Sequence, residues 1–241
     1  MPKARPSNRL KNVRVEEKQT QQFNENYFAA CREDPKRLQM YGSEKARIEA
    51  RVSSGRILDV GCGIGKFLNQ FDPNKWNRYG IDISPIAIDE SRLRGIQVKD
   101  YENAFDYPND FFDVIVFRGS IQMMPDPFFA IRKSMQLLRR GGYLVFLATP
   151  NSNCPYYRRF KTLPFLDEDM DFLVPSDVMF KNMLKNLGAP VEAIHYPYWS
   201  GPYAQPLRDH IKYALSFLGY KSRFAFWKSM MEVYAQKPQN L

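Results

Sequence analysis

The chain has 241 residues, 44% of them apolar and 15% aromatic, enough for one full-sized core and too apolar for a disordered chain. Lys and Arg number 35 against 26 Asp and Glu, a formal charge of +9 that fits nucleic acid, a phosphorylated small molecule, an anionic membrane surface or mere solubility. No apolar run approaches the roughly 18 residues of a membrane span. The first twenty residues lack the apolar stretch of a secretory signal, and three scattered cysteines (Cys31, Cys62, Cys154) exclude a disulfide framework and a cysteine-rich zinc site and fit a reducing cytoplasm.

In chain order, residues 1–20 hold six basic and two acidic residues and read as a flexible basic arm. The remainder, 21–241, reads as one domain. Residues 22–53 have a helical pattern, with Ser43 as the N-cap of a segment ending near Val52. A strand is expected over 56–60, running into glycines. Ile64, Phe67, Leu68 and Phe71 then follow at i, i+3, i+4 and i+7, one face of a helix. Next come a strand over 79–83, a helix capped by Ser84-Pro85 and stopped at Gly95, and strands over 96–99 and 113–117. Phe128, Ile131, Met135 and Leu138 line a helix that ends at Gly141-Gly142, before a strand over 143–148. A further helix carries Phe180, Met183, Leu184 and Leu187 up to Gly188, and the last strands are 191–195 and 231–236. Continuously apolar strands separated by helices imply an α/β fold, a parallel sheet covered on both faces.

The glycine stretch Ile57-Leu-Asp-Val-Gly-Cys-Gly-Ile-Gly-Lys66 lets backbone approach a ligand closely. The dinucleotide fingerprint would need glycine where Lys66 or Leu68 stands, and the phosphate loop would need one more residue before Gly65 and Ser or Thr where Phe67 stands. What remains is Asp-x-Gly-x-Gly-x-Gly. Asp59, two residues before Gly61, would repel a pyrophosphate and suits a ligand with an ammonium group. Asp82 ends the second strand, where a carboxylate can accept from both ribose hydroxyls. Ribose plus a cationic amino acid describes S-adenosylmethionine.

Five pieces in order, Leu58-Asp-Val-Gly-Cys-Gly-Ile-Gly65, Tyr79-Gly-Ile-Asp-Ile-Ser84, Phe112-Asp-Val-Ile-Val-Phe117, Pro125-Asp-Pro127 and Gly141-Gly-Tyr-Leu-Val-Phe146 followed by Thr149-Pro-Asn151, resemble the class I S-adenosylmethionine-dependent methyltransferases over about residues 50–195. The resemblance implies a Rossmann-like, doubly wound seven-stranded sheet with an antiparallel last strand (about 229–237). It assigns Asp59, Gly61, Cys62 and Gly63 to the methionine part of the cofactor, Asp82 and Ile83 to ribose and adenine, and Asp100 with Tyr101 to the adenine rim. Phe117 and Arg118 would lie near the methionine and the substrate. Gly65 fits a packing role equally well, and Cys62 reads as a small filler rather than a reactive thiol.

Many relatives acting on quinones and other small molecules carry Glu-His shortly after the fourth strand; here the pair is Gln122-Met123, and methionine takes no proton. His195 is expected as a partner within the sheet. His210 is the candidate base: a helix over 206–219 would put Leu207, Ile211, Ala214, Leu215 and Leu218 on one face and His210, Tyr213 and Phe217 on an adjoining stripe, although a plain surface histidine fits too. The acids of Asp167-Glu-Asp-Met-Asp171 fail as a calcium loop, with Phe172 where glycine is needed and Val178 where glutamate is needed, so no metal is expected.

Two long segments, 149–174 and the insert 196–228, leave the sheet edge where ligands bind in this fold. Tyr156, Arg158, Tyr203 and Arg208 are the candidate substrate residues, since rings beside arginines suit sugar faces, phosphates or nucleobases; alternatively the rings fill an accessory core. Similarity to methyltransferases of bacterial polysaccharide and glycolipid pathways suggests O-methylation of a sugar in a glycan, nucleotide sugar or lipid-linked precursor. Another small molecule (a quinone or natural product), RNA, or a non-enzymatic cofactor-binding role are the alternatives. Residues 1–20 and 206–241 each contribute +4, which favours a phosphorylated or membrane-attached acceptor and peripheral membrane contact over nucleic acid.

Overall fold

The computed structural model describes residues 23, 25–32, 34–100, 103–164, 166, 173–220 and 222–239. The expected basic arm, Tyr101 and the acidic run 167–171 lie outside them. Two helices, α1 (Glu25–Arg32) and α2 (Pro35–Glu49), stand within the stretch 22–53 where N-terminal helices were expected, but the break between them is not at Ser43. Asp34 makes the break. Its side chain accepts from the backbone N–H groups of Lys36 and Arg37, and Pro35 presets the first helical turn. Ser43 is therefore not an N-cap; it lies inside α2, where its hydroxyl donates back to the Met40 carbonyl at 2.9 Å.

Seven strands follow: β1 (Gly55–Val60), β2 (Trp76–Asp82), β3 (Gln97–Asp100), β4 (Phe112–Arg118), β5 (Leu138–Pro150), β6 (Val191–His195) and β7 (Met230–Gln236). They form one sheet in the order β3-β2-β1-β4-β5-β7-β6. The first five are parallel neighbours, and β7 runs antiparallel to both β5 and β6. The strand order reverses between β1 and β4, and the crevice at that switch lies beyond the strands' carboxyl ends.

The helices α3 (Pro85–Leu93), α4 (Pro127–Leu137), α5 (Pro155–Phe160), α6 (Asp177–Asn186) and α7 (Pro206–Leu215) complete the fold. Strand alternation sends Leu58, Ile115, Phe117 and Phe146 to one face, against Ala130 and Ile131 of α4 and Phe180 and Leu184 of α6. It sends Ile57, Val114, Val116 and Val145 to the other, against Tyr41 and Ile48 of α2 and Ile88 of α3. Each such fully buried side chain contributes roughly 1.5–3 kcal/mol. No helix of the described residues is long and apolar enough to cross a membrane.

Two local expectations change. Ile64, Phe67, Leu68 and Phe71 are all buried, as their spacing requires, but they build only one 3-10 turn over Leu68–Gln70. Positive φ at Gly61, Gly63 and Gly65 holds the chain out of the helical region up to residue 65, and Phe71 is already extended. In α4 the Asp126 cap sets the start, so Pro127, Ala130, Ile131, Ser134 and Leu137 face inward; Phe128 is exposed and Leu138 opens β5. The expected apolar face of α7 is present and points outward. Leu207, Ile211, Ala214, Leu215 and Leu218 face solvent, while Asp209 and Ser216 are buried. The segments 149–164 and 196–228 pack on each other through a core of their own, with Cys154, Tyr156, Leu163, Phe224 and Phe226 at its centre.

Candidate cofactor and acceptor site

β1 delivers Asp59 to the carboxyl edge of the sheet and then turns through the glycine loop. The N–H groups of Gly61 and Cys62 both donate to the Ile81 carbonyl, at 2.8 and 3.0 Å, which ties the loop to β2. At the end of β2 the two Asp82 oxygens accept one N–H each, from Gly63 at 2.7 Å and from Ser84 at 2.9 Å. A carboxylate has about four acceptor positions, so two remain for a ligand. Burial raises the Asp82 carboxyl above its ordinary range, with the Ser84 and Gly63 amides opposing.

These residues open on a cavity of about 400 Å³ lined by Gly61, Gly63, Asp82, Ile83, Arg118 and Ser120, with Met123 and Met124 after β4 and Phe23, Tyr27 and Phe28 around α1. A smaller hollow of about 90 Å³ shares Gly61, Gly63, Tyr27, Phe28 and Arg118 and adds Asp59, Arg37 and Lys66. Asp59 is 1% exposed, and its Oδ1 has no hydrogen-bond partner among the described residues. Burial pushes its carboxyl well up; Arg118 opposes this, and Asp82 and Glu44 add to it. A buried acceptor without a donor is costly, and a cationic ligand group supplies what it lacks. A Cβ built on Gly63 would meet nothing nearer than the Phe28 ring at 3.9 Å, so the loop backbone faces open space. An ammonium group, a pair of hydroxyls and a planar base, the parts of S-adenosylmethionine, therefore fit the donor and acceptor set present.

The structure brings together Asp59, Gly61, Cys62, Gly63, Asp82, Ile83 and Arg118. Cys62 packs over Gly80, where a Cβ would come within 2.6 Å of its sulfur, and burial pushes the thiol up, the behaviour of a filler. Gly65 serves packing: a Cβ there would lie 2.5 Å from Ile96 and 2.8 Å from the Ser91 hydroxyl. Asp100 pairs in register with Asp82 but accepts from the Asn103 backbone and side chain, and the cavity lining does not include it. Phe117 is a correction. Strand alternation points it away from Arg118 and into the core, stacked on Phe146 at 5.3 Å.

The remaining expectations fall elsewhere. Tyr156 is 1% exposed and fills the accessory core, its hydroxyl donating to the Ser222 carbonyl, so it cannot contact substrate as expected. Arg158 donates to Asn153, Tyr203 to Asp34, and Arg208 to Gln205 on the outer side of α7. None of these four lines the cavity. His195 lies in β6 with its ring against Tyr234, and burial lowers its pKa. His210 is not brought to the cavity either: its ring stacks on Trp199 at 5.7 Å and packs on Phe226, and Nδ1 contacts the Pro206 carbonyl. Sequence reasoning missed the α1 aromatics, although Phe23, Tyr27 and Phe28 stand at helical spacing, and it missed Glu44, which pairs with Arg118.

A family model described as a methyltransferase domain matches residues 23–194. Among curated relatives, the aklanonic acid methyltransferase DauC of Streptomyces sp. is 29% identical over 150 residues, 57% of this chain and 64% of that protein. The ubiquinone biosynthesis O-methyltransferase of Alkalilimnicola ehrlichii is 29% identical over 110 residues, 42% of this chain and 44% of the relative. The matches thus span about half to two thirds of these relatives' own length. Among solved structures, YcgJ of Bacillus subtilis superposes with a TM-score of 0.59 at 16% identity, covering 82% of this chain and 99% of that one. At this identity it speaks to the fold alone.

Proposed function

Because the chain belongs to the class I S-adenosylmethionine-dependent methyltransferase family, we propose that it methylates an oxygen of a small molecule, and that this oxygen is anionic before transfer: a carboxylate, or an acidic phenol or enol. The observation that carries the second part is the use already made of the site's carboxylates. Among the described residues, those lining the two hollows include two acids, Asp59 and Asp82, and no histidine. Both acids sit at the glycine loop, suited to the cofactor. The positions after β4 are Gln122 and Met123; Gln122 is buried, donates to the Gly119 carbonyl and has no basic group to offer.

The division of labour follows. S-adenosylmethionine held at this site would supply an electrophilic methyl group for the acceptor oxygen. Asp59 would hold the ammonium, with Arg37 and Lys66 beside it for the carboxylate. Asp82 would take the ribose hydroxyls, and Ile83 offers an apolar wall to the base. Phe23, Tyr27, Phe28, Met123 and Met124 shield the reacting atoms from water and align the acceptor, the protein's main contribution to a displacement of this kind. An acceptor that arrives ionised needs no protein base.

This lining also favours an apolar or planar acceptor over a sugar, whose hydroxyls need convergent hydrogen-bonding groups. The residues expected to read a sugar lie away from the cavity. The relatives' names, an aklanonic acid methyltransferase and a ubiquinone-pathway O-methyltransferase, support the same reading.

The test is mass spectrometry of methyl incorporation across carboxylic acids, acidic phenols, sugar nucleotides and neutral alcohols as pH is varied. Transfer to anionic acceptors, with a rate that follows the acceptor's own ionisation, is expected. Transfer confined to neutral alcohols or sugars would overturn the acceptor assignment.

A further inference from the structure

α7 leaves an apolar face uncovered. Leu207 is 79% exposed, Ile211 50%, Leu215 41% and Leu218 85%. With Ala214 they fall at i, i+4, i+7, i+8 and i+11, one arc of the helix, which a 3-10 turn over Ser216–Leu218 extends to its end. The opposite arc is fastened down. Buried Asp209 accepts from the Tyr198 hydroxyl at 3.0 Å and from the Gln205 N–H at 2.8 Å. Arg159 donates to the Ser216 carbonyl, and Tyr213 stacks on Phe226 at 4.4 Å. Rolling the leucines inward would undo all of these contacts, so the outward face belongs to the folded state.

The surroundings of this face define what covers it. Phe217 at the end of the helix and Trp199, stacked on His210, are 65% and 63% exposed, and Tyr220, beside Leu207, Ile211 and Leu215, is also exposed. Arg208 and Lys212 border the leucine arc along one side of the helix. Across the insert 196–228 there are five basic residues and one acid, Asp209, which is the buried one. The packed segment 149–164 adds Arg158, Arg159 and Lys161 and no acid; the acidic run 167–171 lies outside the described residues. Apolar ridge, aromatic shoulders and a basic border together match a bilayer surface carrying anionic headgroups: aliphatic side chains enter the headgroup boundary, rings sit at the interface, and Lys and Arg meet lipid phosphates.

We propose that α7 docks the protein on anionic membrane surfaces through Leu207, Ile211, Leu215 and Leu218. The charge argues against two other occupants. A second copy would bring Arg208 and Lys212 against residues of the same sign, and the first twenty residues, six basic and two acidic, share that sign as well. The inference is independent of the acceptor and of the methyl-transfer reading.

The test is flotation of the full chain with phosphatidylcholine vesicles, with and without phosphatidylglycerol as one lipid in three. Binding to the anionic vesicles, weakened by added salt, is expected. Leu207→Ser with Leu218→Ser should lower the partition coefficient about tenfold or more while leaving the melting temperature and S-adenosylmethionine affinity unchanged. Arg208→Glu with Lys212→Glu should remove the preference for anionic lipid. Failure to float, equal binding to both vesicle types, or undiminished binding by the two double variants would overturn the proposal. So would a dimer in sedimentation velocity that the Leu207→Ser, Leu218→Ser variant abolishes, since that would give the face to a second copy.

Discussion

Arg118 at the end of β4 donates through Nε to the buried Glu44 carboxylate of α2 at 2.7 Å, and its guanidinium lies over the Tyr41 ring at 4.4 Å. The pair ties the helix that carries Arg37 to the strand end that lines both hollows. Burial raises the Glu44 carboxyl, and Arg118 opposes that rise. Arg118→Met would leave Glu44 buried and unpaired, and we expect a loss of about 3–5 kcal/mol in urea unfolding. Adding Glu44→Leu to the same chain should recover most of that loss, because the stranded charge is then gone. Equal instability of the single and double variants would show that packing, not charge, is at stake.

Gly63 and Gly65 separate ligand binding from folding. A Cβ on Gly65 would collide with Ile96 at 2.5 Å, whereas one on Gly63 faces the open cavity. Gly65→Ala should therefore be the more destabilising, by about 1–3 kcal/mol in thermal or urea unfolding. Gly63→Ala should cost only about 1 kcal/mol for its positive φ and yet weaken cofactor binding severely.

Asp59 carries a dependence on pH. Burial holds its folded carboxyl well above the ordinary value of 3.8. The folded state therefore keeps this proton to higher pH than the unfolded chain. Its contribution to stability is fully present below about pH 3.8 and declines as pH rises toward the raised folded value. Asp59→Asn should melt higher than the parent at pH 7 without cofactor, with the gap narrowing as pH falls, and it should bind cofactor poorly. Such a trade of stability for binding is expected of a functional buried charge.

His210→Ala tests the one base that the sequence suggests. Its ring is held by Trp199 and Phe226 in the accessory lobe. Near-parental turnover is expected, with a small loss of thermal stability. Turnover slowed by about two orders of magnitude or more, the size of a general-base effect, would return His210 to the chemistry.

The contrast between these residues shows what sequence can carry. Asp59, the glycine loop and Asp82 were legible because local chain order sets them: a strand end, a turn and the next strand end. The strands were legible because β-branched runs buried on both faces leave little choice. The resemblance placed Phe117 and Arg118 together near the methionine and the substrate, but alternation across the pleat sends these neighbours to opposite faces of the sheet. The orientation of α7 was not legible for a different reason. Its pattern is strongly amphipathic, and amphipathicity shows which face is apolar without saying what covers it. The buried Asp209–Tyr198 contact within the insert and the Arg159–Ser216 contact between the insert and the 149–164 segment decided the orientation.

Whether the crevice at the ends of β1 and β2 holds S-adenosylmethionine is decided by calorimetric titration of the cofactor into the parent chain and into Asp82→Asn. One-to-one binding to the parent, weakened about 10- to 100-fold in the variant by loss of charged hydrogen bonds, is the expected result. No heat of binding to the parent, or equal affinity in a variant with an unchanged circular dichroism spectrum, would contradict it.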